Sequence, residues 1–275
     1  MTYPVAAKAD DMRSRFNLPL SMSVIRPVVS IGAPLLLWEA AVRLGWIDAF
    51  LFPAPSAIAA TMWRQTWPDG DLLLHAGRSL YRLLAGMALA IVIGTAVGIA
   101  IGMTRWGRAI FKPIISAFMP VPTLAWTPIL LLAIGIDDRT TIVVVFIAAS
   151  FEVIYNIVSG VEMMSRKVFW VARSMGASPS QIFWKVILPG VTPYLITGAK
   201  LGTGYAWRAL IAAEMLAASS YGLGFMIYDA SEYMTMEVIY GGIALIAVLG
   251  YFIENVLLGR IEAATVEKWG IQVER

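Results

Sequence analysis

The sequence predicts an all-α integral membrane protein with six transmembrane helices, and three observations carry that class. The 275-residue chain is 59% hydrophobic and only 14% charged. A soluble domain has about 25% charged residues, so the excess apolar surface must face lipid. Its long apolar stretches each approach the ~20 residues that cross a bilayer as a helix. Finally, Lys and Arg concentrate in alternate connections, as they do when those connections lie in turn on the cytoplasmic side.

Residues 1–26 are too polar for a secretory signal. With Lys8, Arg13, Arg15 and Arg26 they read as a cytoplasmic N-terminal segment. The transmembrane domain is expected over 27–258. Its first span, from about Pro27 to Gly45, is the weakest, with Glu39 and Arg43 four apart and able to pair on one helix face. The outside stretch from Trp46 to Ser79 follows. There Ser56 can cap a short amphipathic helix, Trp63 and Trp67 suit the interface, and His75 reads as a surface residue before span 2, not a catalytic one.

Span 2 is expected over Leu83–Met103, with Gly86, Ala90, Gly94, Gly98 and Gly102 in a four-residue step that lets another helix approach closely. Span 3, Pro113–Ile136, contains Pro120, Pro122 and Pro128. Prolines break helices, and broken backbone at membrane depth is buried in protein or lines a cavity. Span 4 runs from Thr140 to about Gly160 with Glu152 inside it. Span 5 covers Val191–Ala218 and holds Lys200, Arg208 and Glu214. Span 6 covers Val238–Leu258 with Glu254 near one end, and 259–275 is a cytoplasmic tail.

Arg105, Arg108 and Lys112 follow span 2; Arg166, Lys167, Arg173 and Lys185 follow span 4. The other side carries Arg139 beside Asp137 and Asp138, then Asp229 and Glu232 with no Lys or Arg. This alternation puts both termini in the cytoplasm.

Several chemistries are excluded. There is no cysteine and a single histidine, which removes thiolate and His-rich metal sites and the usual catalytic dyads. No lysine follows a glycine, so the chain has no G-x-x-x-x-G-K-[ST] phosphate loop and cannot itself be a P-loop ATPase. No enzyme, catalytic residue, metal or nucleic-acid partner is expected.

The informative connection is 161–189, around VARSMGASPSQIFWKVILP. Residues 166–175 form a helix with an apolar side of Val168, Val171, Ala172 and Met175, and Gly176 ends it in a left-handed cap. Ser178, Pro179 and Gln181 supply a cap, a first-turn proline and the third position of a capping box. A second short helix then runs to Pro189, where span 5 begins. A rigid corner of this kind offers a peripheral partner something to push on.

At this point the residues carry a resemblance. Ala172, Gly176 and Val186-Ile187-Leu188-Pro189 are similar to the cytoplasmic motif of ABC importer membrane subunits, E-A-A-x-x-x-G followed after nine residues by I-x-L-P. Trp170 and Val171 stand where the motif has Glu and Ala. FPAPSAI at 52–58, PVPTLAWTPILLLAIGI at 120–136, ARSMGAS at 172–178, ILPGVTPYLITGAKLG at 187–202, AEM at 213–215 and YGLGFMI at 221–227 resemble the nitrate, sulfonate, taurine and bicarbonate branch.

The resemblance implies a type I ABC importer permease fold in a bacterial inner membrane. The partners it implies are a second permease subunit (a homodimer), two cytoplasmic ATPase subunits that bind ATP and Mg, and an extracytoplasmic substrate-binding protein. This chain needs no cofactor of its own. The 166–181 loop becomes the coupling helix, with Arg166, Val168, Ala172, Arg173, Gly176, Ala177, Ser178 and Gln181 as coupling residues. Pro120, Pro122, Trp126, Glu152, Asn156, Trp207, Arg208 and Glu214 are candidates for the translocation path, with a structural ion pair equally open for Glu214.

Met119 replaces an Arg common before the Pro-x-Pro, and Glu152 replaces a common Pro. Losing a cation and gaining an anion argues against a bare inorganic anion and for a zwitterion such as taurine, or a cationic or neutral organic compound; a sulfonate- or taurine-like solute is the expectation. Alternatives are nitrate- or bicarbonate-like anions, a cationic or neutral nitrogenous compound, and proton-coupled secondary transport through Glu152 and Glu214.

Overall fold

The computed structural model describes residues 20–67, 70–218 and 220–266. The expected N-terminal segment before residue 20 and the tail beyond residue 266 lie outside the described residues. All regular elements among them are helical, and the chain divides into two compact units, 1–61 and 62–275.

The first unit holds α1 (Leu20–Arg43) and most of the first turns of α2 (Pro55–Thr66). Val29, Ile31, Leu36 and Leu37 are exposed, as side chains facing lipid must be. The expected pair forms, with Arg43 Nε 2.6 Å from Glu39 Oε1. Ser56, however, is not the cap of α2. It is the second helical residue, and it donates its N–H to Glu39 Oε2 (3.0 Å) and its hydroxyl to Glu39 Oε1 (2.7 Å). A carboxylate from α1 replaces the serine cap, because the free N–H groups and the dipole at a helix start favour an anion.

The second unit is built on α6 (Asp138–Met163), which packs along α3 (Asp71–Met103) and along α9 (Leu188–Ala217). Val144, Val145, Val153, Ile157 and Val158 of α6 are fully buried. The small-residue stripe of α3 meets this row. A Cβ placed on Gly98 would lie 2.7 Å from Ile157 Cβ and 3.2 Å from the Ile154 carbonyl oxygen, and one on Gly102 would lie 2.8 Å from Val161. We therefore expect Gly98→Val to overpack the seam at a cost of about 1–3 kcal/mol, read as a lower thermal midpoint in detergent. Gly32→Ala, where an added Cβ meets nothing within 4 Å, should leave the midpoint unchanged.

Between α3 and α6 the chain forms α4 (Arg105–Phe118), a 3-10 turn (Thr123–Trp126) and α5 (Thr127–Ile134). The expected third span is thus not one helix. Its two halves meet at 94°, because Pro120 and Pro122 cannot supply helical N–H groups and the backbone turns between them. Among the described residues four helices are long and apolar enough to cross a membrane, or five if this bent pair counts as one span. The helix α1, at the weak first span, is not among them.

The helix α3 also begins twelve residues before the apolar run at Leu83, so it carries His75, Ser79 and Arg82. Each finds a partner there: His75 bonds Gly222, Ser79 bonds Leu223 and Glu214, and Arg82 pairs with Glu214 of α9 and Asp138 of α6.

After α7 (Arg166–Ser174) and α8 (Pro179–Ile182), the helix does not stop at Pro189. A π turn over Phe183–Ile187 leads into α9, with Leu188 N–H bonded to the Phe183 carbonyl. The wider turn relieves the clash a proline ring makes with the carbonyl four residues back. The short α10 (Leu223–Glu232) precedes α11 (Met236–Tyr251), which continues through a second π turn, Phe252–Leu257, into α12 (Leu258–Val266).

Candidate coupling corner and transmembrane site

The corner after α6 is built as its residues predict. Ser165 accepts from Lys167 N at the start of α7. At its end Gly176 has φ +76°. Gly176 N–H bonds to Arg173 O (2.9 Å) and Ala177 N–H to Ala172 O (3.0 Å), the paired bonds of a Schellman cap. Ser178 and Gln181 close a capping box, with Gln181 N to Ser178 Oγ at 3.3 Å and Ser178 N to Gln181 Oε1 at 2.8 Å.

Two faces result. Phe169, Ala172 and Ala177 pack inward on Ile182, Ile157 and Val161. Val168, Trp170, Val171 and Met175 point away and are exposed. The apolar side expected for α7 therefore splits, with Ala172 inside and the other three outside. Arg166 and Arg173 are exposed and join Arg105 and Arg108 around a cavity of about 560 Å³ beside the corner. The corner thus presents an exposed apolar helix face beside a cluster of arginines.

At the opposite end of α6 lies a buried polar cluster that the sequence only half revealed. Glu214 near the end of α9 is fully buried. Its carboxylate accepts from Arg82 Nη1 (2.7 Å), from Ser79 Oγ (2.8 and 2.9 Å) and from Gly224 N (2.9 Å). The guanidinium of Arg82, itself buried, also donates to Asp138 Oδ1 through Nη2 (2.6 Å) and Nε (2.9 Å). Ser79 Oγ accepts from Leu223 N, and His75 Nδ1 accepts from Gly222 N. A Cβ on Gly222 would lie 2.6 Å from Arg82 Nη1, so only glycine lets the chain pass this close. His75 is thus a half-buried clasp on the loop, not a bare surface residue.

A third site forms in the bend. Glu152 is 9% exposed and opens on a cavity of about 240 Å³ with Pro120, Pro122, Trp126, Phe118 and Tyr205. Phe118 stacks on Phe151 (centroids 6.0 Å) and tilts on Trp126 (6.2 Å). The structure thus gathers four of the eight candidate path residues. The other four lie elsewhere. Asn156 donates to the Glu152 backbone carbonyl (2.8 Å) one turn on. Trp207 is 4% exposed and donates to Ile246 O (3.3 Å) between α9 and α11, so it is core. Glu214 is closed in its ion pair and presents no surface. Arg208 stands over the Tyr205 ring at 5.9 Å and lines a separate cavity with Lys200 and Glu254, while Lys200 pairs with Glu262. Phe118, Phe151, Tyr205, Arg82 and Asp138 were not singled out as site residues. A charge such as Arg82 bordering an apolar run was the available signal.

The architecture is thus a bundle of long apolar helices with a capped helical corner and a broken segment that lines a cavity. Residues 89–268 match the family described as binding-protein-dependent transport system inner membrane component, and the chain belongs to that family. It is 32% identical over 258 residues to the taurine transport system permease protein TauC of Escherichia coli, covering 92% of this chain and 94% of that one. It is 31% identical over 233 residues to a putative aliphatic sulfonates transport permease protein, SsuC, of Bacillus subtilis (85% and 83% covered). Against the nitrate import permease protein NrtB of a Synechocystis strain it is 30% identical over 247 residues (86% and 87%). These relatives place it among the ABC importer permeases of the nitrate, sulfonate and taurine branch. In fold it is similar to a chain of the MetNI methionine ABC transporter in an inward-facing conformation, with TM-score 0.61, 22% identity and 74% and 98% of the two chains covered.

Proposed function

We propose that this chain is the membrane-spanning subunit of an ATP-driven, binding-protein-dependent importer whose solute is a taurine- or sulfonate-like compound. It spans six times with both termini in the cytoplasm. Two copies enclose the path, two cytoplasmic ATPase subunits hold ATP and Mg, and an extracytoplasmic binding protein delivers the solute. The corner carries this reading: a helix fixed by a Schellman cap and a capping box, with Val168, Val171 and Met175 exposed on its outer side, is a rigid apolar handle for an ATPase groove.

Expressing the chain with a candidate ATPase subunit and a candidate binding protein from its own genome tests the reading. The chain should co-purify with the ATPase, and vanadate should abolish uptake. Uptake that survives vanadate and needs no ATPase would instead mark proton-coupled secondary transport.

A further inference from the structure

The cavity in the bend holds an unanswered charge. Glu152 lies about midway along α6, is nine-tenths buried, and opens on the cavity. Among the described residues no ion pair or hydrogen bond engages its carboxylate. Arg208, one of the path candidates, lines a different cavity, and no Lys, Arg or His lines this one. A buried carboxylate without a counter-charge is costly, so a cation that entered the cavity would be stabilised there by pairing with it.

The walls narrow what that is. Trp126, Phe118, Phe151 and Tyr205 line the same cavity as the carboxylate. Aromatic faces are negative and attract cations, quaternary ammonium groups above all. A carboxylate among aromatic rings attracts positive nitrogen and repels nitrate or a sulfonate group.

We propose that this cavity is a transit site for a positively charged nitrogen, with Glu152 as counter-ion and the aromatic rings as walls, so that the imported solute is a zwitterion or a cation and not a bare anion. The proposal rests on the permease reading above and deepens it. It favours a taurine-like solute, which carries an ammonium, over aliphatic sulfonates and nitrate, which do not.

The test uses the purified full chain in lipid nanodiscs, with dicyclohexylcarbodiimide modification of Glu152 followed by peptide mass spectrometry. The probes are taurine, choline and isethionate, the last being taurine with a hydroxyl in place of the ammonium. Taurine and choline should slow modification by about tenfold or more at concentrations where isethionate has no effect. Trp126→Ala should keep the modification and lose the protection by choline, and Glu152→Gln is the blank. An unchanged elution profile shows that each variant folds.

Equal protection by isethionate overturns the proposal, as does no protection by either ammonium probe. A Glu152 that resists modification without any probe also overturns it, since a second copy would then already supply the cation. If instead the importer reading fails, the chain does not associate with an ATPase, yet protection by ammonium probes persists. The two failures are therefore distinct.

Discussion

Replacing Arg82 with methionine is expected to destabilise the protein by about 3–5 kcal/mol, the cost of removing one partner from a buried ion pair. Among the described residues Arg82 is the only cation in direct ion-pair contact with Glu214 and the closer of the two paired with Asp138, since Arg78 stands 3.5 Å from Asp138 at an exposed position. Its loss strands Glu214 in a site with no exposure to water. Glu214→Gln should cost much less. The amide oxygen can still accept from Gly224 N and Ser79, and Arg82 keeps both bonds to Asp138. Removing both charges together should recover most of the loss, because apolar or neutral replacements of a whole buried pair are often tolerated. Thermal unfolding in detergent, followed by the loss of the monodisperse peak, orders the three variants. A Glu214→Gln variant as unstable as Arg82→Met would sink the account.

Gly176→Val is expected to uncouple ATP hydrolysis from uptake, lowering transport by about tenfold or more while the assembled complex still hydrolyses ATP. The reason is backbone conformation and not space. An added Cβ at residue 176 meets nothing within 4 Å, yet φ is +76°, where a β-branched residue is a strong outlier and the left-handed conformation costs roughly 1–2 kcal/mol. The corner escapes that cost by giving up the cap bonds to Ala172 and Arg173, and α7 then swings free of α8. Gly176→Asn should retain most transport, since asparagine tolerates this conformation. Parallel assays of ATPase rate and solute uptake in proteoliposomes decide it. Valine behaving like asparagine would show that the left-handed cap does not matter to coupling.

Local signals were legible in the sequence and long-range partners were not. The corner was readable because its caps join residues three to five apart, such as Ser178 with Gln181 and Ala177 with Ala172. The stripe from Gly86 to Gly102 announced a close helix contact by its spacing, though not that α6 would provide it. The prolines announced a broken third span, and the break became a wall of the cavity. Glu214, by contrast, pairs with a residue 132 positions away, and no local pattern encodes that distance. Trp207 looked like a path residue because a tryptophan in a span suits either role; only its bond to Ile246 O and its packing on Gly250 make it core. Pro189 marked a helix boundary on propensity alone, but the π turn absorbs it.

Pro179 to Ala217 is one helical run of 39 residues, about 58 Å at 1.5 Å per residue, well beyond the ~30 Å hydrocarbon core. One end begins at the corner and the other ends at Ala217, one turn past Glu214. Its midpoint is where Gly198 and Gly202 lie against α6, close enough that an added Cβ would sit 3.1 Å from Val153 Cα and from Ala149 O respectively. Two contacts therefore hold this run against α6: the backbone approach at its middle, and the chain of ion pairs from Glu214 through Arg82 to Asp138 at its far end. Any shift of the run relative to α6 must strain both.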